Sequence, residues 1–205
     1  MFSVALSVAS PRLAAFHGPL VAAELAAGLA PGEAASLLGA LAGRYPAALP
    51  FGAWLRPPPP PKTAVAGPLL GGCLSLLAAT IGTPFFPDLA GSVLFWEEIN
   101  EPAYRVDRML THLRLSDTLT GIEAMIVGHL DGGDSANGSA NGANGGESAT
   151  DWPAVVGDSL SGLPWPLAWG LASGHRRPNA TLPLGLTARL AAGGPDDRQL
   201  WLEAP

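Results

Sequence analysis

The stretch GSVLFWEEINEPAYRVDRMLTHLRL, residues 91–115, decides the fold of this chain. Ser92 to Phe95 is a compact apolar run of strand type, and it is followed at once by the carboxylates Glu97 and Glu98. Tyr104 to Leu115 then reads as an amphipathic helix, with Val106, Met109, Leu110 and Leu113 at helical spacing. A strand that hands over to a helix in this way predicts an α/β layer arrangement, provided that the alternation continues on either side.

It does continue. Upstream, Gly71-Gly72 leads into a helix over Cys73 to Ile81, stopped by Gly82-Thr83-Pro84, and downstream Ile122 to Gly128 reads as a buried strand. Short strands and turns are expected after that, around Gly174-His175 and Leu182-Pro183-Leu184-Gly185. Residues 131–151 form a Gly/Asn/Ser/Ala tract too polar and too simple to pack, which reads as a flexible surface insertion. Near the N-terminus, Met1 to Ser10 suits a helix end or a buried strand. Leu13 to Phe16 suits a short strand closed by His17-Gly18-Pro19, and Leu20–Leu29 and Pro31–Arg44 suit two helices. Pro31 and Glu33 are start signals for the second of these. Between the two parts lies a proline-rich segment, 46–68, whose run Pro57 to Pro61 should be extended and semi-rigid. The expected organisation is therefore 1–45, a joint at 46–68, and a main domain over 69–205.

Composition narrows the function classes. With 205 residues, 48% hydrophobic and 14% charged, the chain can bury a substantial core. A net charge of −6 and the lack of a basic stripe argue against a nucleic-acid partner. The single cysteine rules out a disulfide within the chain. No uninterrupted apolar run is long enough for a bilayer span, and the apolar N-terminus lacks the basic start of a secretory signal. The expectation is a soluble cytoplasmic protein with no membrane partner. No two of the four histidines have metal-ligand spacing, and no cofactor is expected.

Two side chains stand out chemically. Glu97 sits directly after an apolar strand, where α/β folds gather functional groups, and neighbouring carboxylates on a strand face opposite ways, so at most one of Glu97 and Glu98 is expected to face a given site. His175 follows a glycine in a loop and has the acid–base range of a general base. A solvated strand end and a surface histidine are the commoner fates of such residues. Taken together, a carboxylate and a histidine on separate loops suggest the orienting and base members of a serine hydrolase triad.

Residues 91–110 closely resemble the LD-carboxypeptidase family, in which an "ILFLED" strand end precedes "E-x-P-Y-R-I-D-R-M-L". Gly71-Gly72-Cys73-Leu74, Gly82-Thr83-Pro84 and Pro87-Asp88-Leu89 resemble its "GGNL…GTP…P-D-L" block. Ile122 to Gly128 resembles its "GIILG" strand, and Gly174-His175, Asn179 and Leu182 to Gly185 its "GH…N…LPIG" block. Phe16-His17-Gly18-Pro19 matches "FHGP" in the family's N-terminal domain. The resemblance runs from about Arg12 to Leu202. It implies a truncated remnant of an N-terminal α/β, flavodoxin-like domain followed by a layered β/β/α C-terminal domain. It also implies a Ser-Glu-His triad that releases the terminal D-alanine from a murein tetrapeptide during cell-wall recycling. Glu97 would orient the histidine, and His175 would serve as base and then acid. Full-length relatives commonly form homodimers, an arrangement the resemblance allows here.

Two departures follow. The family's nucleophile sits in a "G-x-S-D" elbow a helix's length before "FHGP", and Ser3, Ser7 and Ser10 do not reproduce it. The expectation is a chain that begins too late to hold the elbow and is inactive as an isolated polypeptide. Cys73 also replaces the family's asparagine. The competing readings are a non-catalytic muropeptide-binding or partner-dependent module, and a relative of the immunity hydrolases that cleave acyl-adenylate peptide antibiotics.

Overall fold

The structure, a computed structural model, describes residues 15–45, 48–60, 64–132, 150–191 and 198–203. Its centre is strand β5 (Val93–Ile99), flanked in parallel by β4 (Ala64–Cys73) and β6 (Ala124–Asp131), with β7 (Leu167–Trp169) parallel to β6. Parallel neighbours need crossovers. Here they are helices: α2 (Leu74–Thr80) follows β4, α3 (Ala103–Leu115) follows β5, and α4 (Trp152–Ser159) lies between β6 and β7. The helix before all of these is α1 (Pro31–Leu41).

β4 is ten residues long and changes partner along its length. Its second half pairs with β5, while its first half pairs antiparallel with β9 (Thr187–Ala191). β9 in turn carries β10 (Gln199–Leu202) and β2 (Ala48–Pro50), and β3 (Ala53–Arg56) closes the far edge against β7. The result is an eight-stranded mixed sheet, beside which β1 (Ala15–His17) and β8 (Leu182–Leu184) form a small antiparallel pair.

Alternation along β5 sorts two cores. Leu94 and Trp96 point to the helical side, among Leu74, Leu77, Val106, Leu110, Leu113 and Val156. Val93 and Phe95 point the other way, among Leu182, Leu184, Leu190 and Leu200. Strands β9 and β10 thus belong to the sheet and also contribute to the core on its non-helical face. Layers of helix, sheet and strand result, matching the α/β expectation and its β/β/α form. Each large apolar side chain buried completely stabilises such a core by about 1.5–3 kcal/mol.

Several local expectations change. Part of the segment read as a proline-rich joint is sheet, because β2, β3 and the start of β4 lie within 46–68; among its described residues Phe51, Gly52 and Pro57–Pro60 lie outside the strands. Proline repels strand pairing, but Leu49, Trp54 and Val65 beside it have apolar surface to bury. The helix expected over Leu20–Leu29 shortens to a π-type turn at Val21–Leu25 with two further helical residues, and Gly28 at φ 89° ends it. Helix α4 was not expected; Asp151 caps it, accepting from the Ala154 N–H at 3.2 Å, with Pro153 in the first turn. Met1–Ser10, and 133–149 of the tract read as an insertion, lie outside the described residues.

Candidate active site

Glu97 lies within β5, two residues before its end, and not beyond the strand. It shares the face of Val93 and Phe95, and it is completely buried. A register shift between Trp96 and Glu98 opposite β6 marks the position. His175 reaches it from the loop after β7: its Nδ1 lies 2.6 Å from Glu97 Oε2, across 78 positions of sequence. The two residues singled out in the sequence therefore meet in a short, charge-assisted contact.

Glycine makes room for this. Gly174 has φ 127°, and a Cβ there would come within 2.9 Å of Glu97 Oε2. A Cβ on Gly128 would strike the Ser173 carbonyl and come within 3.2 Å of Glu97 Cβ. Larger residues at either position would displace the carboxylate.

The loop that carries His175 is pinned at both ends. The His129 N–H donates to the Ser173 carbonyl at 2.9 Å, and the Ser173 hydroxyl donates to the Ala180 carbonyl at 2.9 Å. The Gly174 N–H donates to Asn179 Oδ1 at 3.1 Å. The Asn179 N–H then donates to Glu33 Oε1 at 3.2 Å, and the Thr181 N–H to Ser36 Oγ at 2.9 Å. Glu33 also accepts from the Ala30 N–H at 2.9 Å, so one buried carboxylate ties the start of α1 to the histidine loop. Arg177 joins this clasp, with Nε 3.7 Å from Glu33 and a hydrogen bond to the Gly28 carbonyl.

A second histidine, His17 at the end of β1, brings Nε2 to 3.8 Å from Glu97 Oε1. Its ring meets Phe95 edge-on, with centroids 5.1 Å apart. Reasoning from residue types did not select His17 as a site residue; its motif Phe16-His17-Gly18-Pro19 was the available signal. Glu98 faces the helical side, as strand alternation requires, and accepts from Ser75 N–H at 2.7 Å, Ile99 N–H at 3.0 Å and the Cys73 thiol at 3.4 Å.

The electrostatics differ among the histidines. The hydrogen bond to Glu97 raises the pKa of His175 above the ordinary imidazole value, against the smaller opposing effect of burial. Burial lowers that of His17, and burial together with the Arg176 charge lowers that of His129. Burial pushes the Cys73 thiol up, which makes it a poor nucleophile at neutral pH.

His175 can therefore exchange a proton through Nε2 while Glu97 holds Nδ1. No described serine hydroxyl is hydrogen-bonded to it: Ser159, for example, is buried on α4 and donates to Asp107 at 2.7 Å. A cavity of about 580 Å³ lined by Glu33, Ser36, Tyr45, Leu49, Pro178 and Asn179 lies on the α1 side of the loop, but neither Glu97 nor His175 lines it. Among the described residues no group of acidic, histidine and cysteine side chains has the arrangement to hold a metal, and no helix is long and apolar enough to cross a membrane.

Residues 66–190 match the family model of the LD-carboxypeptidase C-terminal domain. A putative carboxypeptidase of Streptomyces coelicolor is 34% identical over 140 residues, 68% of this chain and 40% of that protein. The muramoyltetrapeptide carboxypeptidase of Oxalobacter formigenes superposes with a TM-score of 0.76 at 28% identity, covering 98% of this chain and 63% of that one. The microcin C7 self-immunity protein shares the fold, with a TM-score of 0.71 at 21% identity, covering 98% of this chain and 64% of that one. The matched segments span 40% or less of the first curated relatives.

Proposed function

We propose, from the premise that the chain belongs to the LD-carboxypeptidase family, that it carries the Glu97–His175 half of a Ser-Glu-His triad acting on muropeptide tetrapeptides. The observation that carries the proposal is the 2.6 Å contact between His175 Nδ1 and a fully buried carboxylate. In the reaction, Nε2 of His175 takes the proton of a serine hydroxyl as the hydroxyl oxygen attacks the carbonyl before the terminal D-alanine. The imidazolium gives that proton to the leaving amine, and a second cycle with water releases the acyl group. Glu97 fixes the tautomer and offsets the imidazolium charge. The raised pKa of His175 supports this division of labour, since a buried anion favours the protonated ring.

The nucleophile is the part the sequence of residues 1–205 does not supply in the family's pattern, and we propose that this chain alone is inactive. The main domain, expected over 69–205, is proposed to extend upstream to take in β2, β3 and the whole of β4, which share its sheet, with β1 and α1 belonging to a separate α/β unit. The likeness to the muramoyltetrapeptide carboxypeptidase favours a murein substrate over an acyl-adenylate one, because the microcin immunity likeness lies at lower identity.

The test is D-alanine release from L-Ala-D-Glu-meso-diaminopimelate-D-Ala. The chain is assayed alone and fused behind a segment that carries the family's "G-x-S-D" elbow. The expected result is no release by the chain alone, and release by the fusion that His175→Ala abolishes. Release by the chain alone that depends on His175 would place a nucleophile within residues 1–205. Release by the fusion that survives His175→Ala would remove His175 from the role of base.

A further inference from the structure

Glu97 is fully buried, and a buried carboxylate needs donors on both oxygens. Oε2 has His175. Oε1 has no hydrogen-bond partner among the described residues. The polar group facing it is His17 Nε2 at 3.8 Å, too long for a hydrogen bond and close enough that a small side-chain rotation makes one.

We infer that His17 is a positioning residue for the Glu97–His175 pair, a neutral imidazole whose Nε2–H is the donor for Glu97 Oε1. The inference rests on the proposed role of that pair and adds a third member to it. Two features fix the His17 ring. Strand β1 pairs His17 with Leu182 of β8, and Phe95, on the same face of β5 as Glu97, meets the ring edge-on at an interplanar angle of 67°. Among the described residues, the titratable groups facing His17 are Glu97 from β5 and His175 from the loop. Burial outweighs the pull of Glu97 and keeps the ring uncharged, so it does not compete with the His175 imidazolium for the carboxylate's charge. A neutral donor on Oε1 draws off part of the negative charge that raises the proton affinity of His175.

This role and simple ring packing predict opposite rankings of two variants. His17→Phe keeps an aromatic ring against Phe95 and removes the donor. His17→Gln removes the ring and keeps an amide N–H at similar reach. The experiment is an imidazole nitrogen NMR titration of the 205-residue chain, whose four histidines give a simple spectrum. Expected is a neutral His17 with its proton on Nε2, a His175 pKa that rises in His17→Phe, and a wild-type value in His17→Gln. The inference is overturned if His175 is unmoved by Phe, or if Gln disturbs it more than Phe does. Should the Phe variant fail to fold, the wild-type tautomer decides, and a proton on Nδ1 of His17 is fatal to the idea. Glu97→Gln separates this inference from the reading beneath it. If Glu97→Gln leaves the His175 pKa unchanged, the pair itself fails. If it lowers that pKa while the His17 variants rank as packing, only the role of His17 fails.

Discussion

Glu97 and Glu98 are neighbours on one strand, both buried, and alternation sends them into opposite surroundings. Glu98 turns to the helical layer and meets donors that are mostly main chain: Ser75 N–H, Ile99 N–H and the Cys73 thiol. Glu97 turns to the strand layer and meets imidazoles, His175 at 2.6 Å and His17 at 3.8 Å. Backbone amides do not titrate, so the main contribution of Glu98 is to hold the end of β5 to the start of α2. Imidazoles do titrate, so the same chemical group one residue earlier can take part in proton transfer. The difference teaches that a buried carboxylate is read best through the groups that satisfy it.

The largest expected effect lies on the Glu98 side. Glu98→Ala strands two main-chain N–H groups and should cost about 3 kcal/mol of stability in urea unfolding, while Glu97→Gln should cost under about 1 kcal/mol. Equal losses would mean that both carboxylates are structural.

The pH dependence of stability should split by histidine. The raised pKa of His175 contributes stability that is fully present below the unfolded imidazole value, about 6.5, and is lost as pH rises through the folded value. His17 has the opposite sign: its lowered pKa makes stability fall as pH drops through about 6.5 toward the folded value. Denaturation series across this range should show His175→Ala removing the first dependence and His17→Phe flattening the second.

A smaller effect is expected at the clasp. Glu33→Ala leaves the Asn179 N–H without its acceptor, at a cost of about 1–2 kcal/mol, and should broaden the His175 ring signals because Asn179 holds Gly174. Glu33→Gln keeps an acceptor and should restore most of both. The smallest effect concerns Cys73, whose raised thiol pKa predicts alkylation at neutral pH several-fold slower than that of an unstructured cysteine.

Much of this was legible in the sequence, and the reasons are physical. The strand over residues 92–95 and the helix over 104–115 stand out because their apolar periods differ so clearly. Glu97 and His175 were readable as candidates from their places near a strand end and in a glycine-led loop. Their pairing was expected from the triad pattern and the family resemblance, but its geometry was not readable, because it depends on a loop 78 positions away and on Gly128 and Gly174 leaving room. His17 escaped residue-by-residue reasoning because a lone histidine in a short strand carries no periodic signal. Strands β2 and β3 were hidden by the prolines around them, and α4 by a low-complexity tract just before it.

The most direct test of the central claim is the titration of His175 in the wild-type chain and in Glu97→Gln, by imidazole nitrogen NMR. A buried carboxylate that drives the histidine predicts a wild-type pKa above the ordinary imidazole value, falling when Glu97 becomes an amide. The same pKa in both proteins would contradict the account and leave the Glu97–His175 contact without a role in proton transfer.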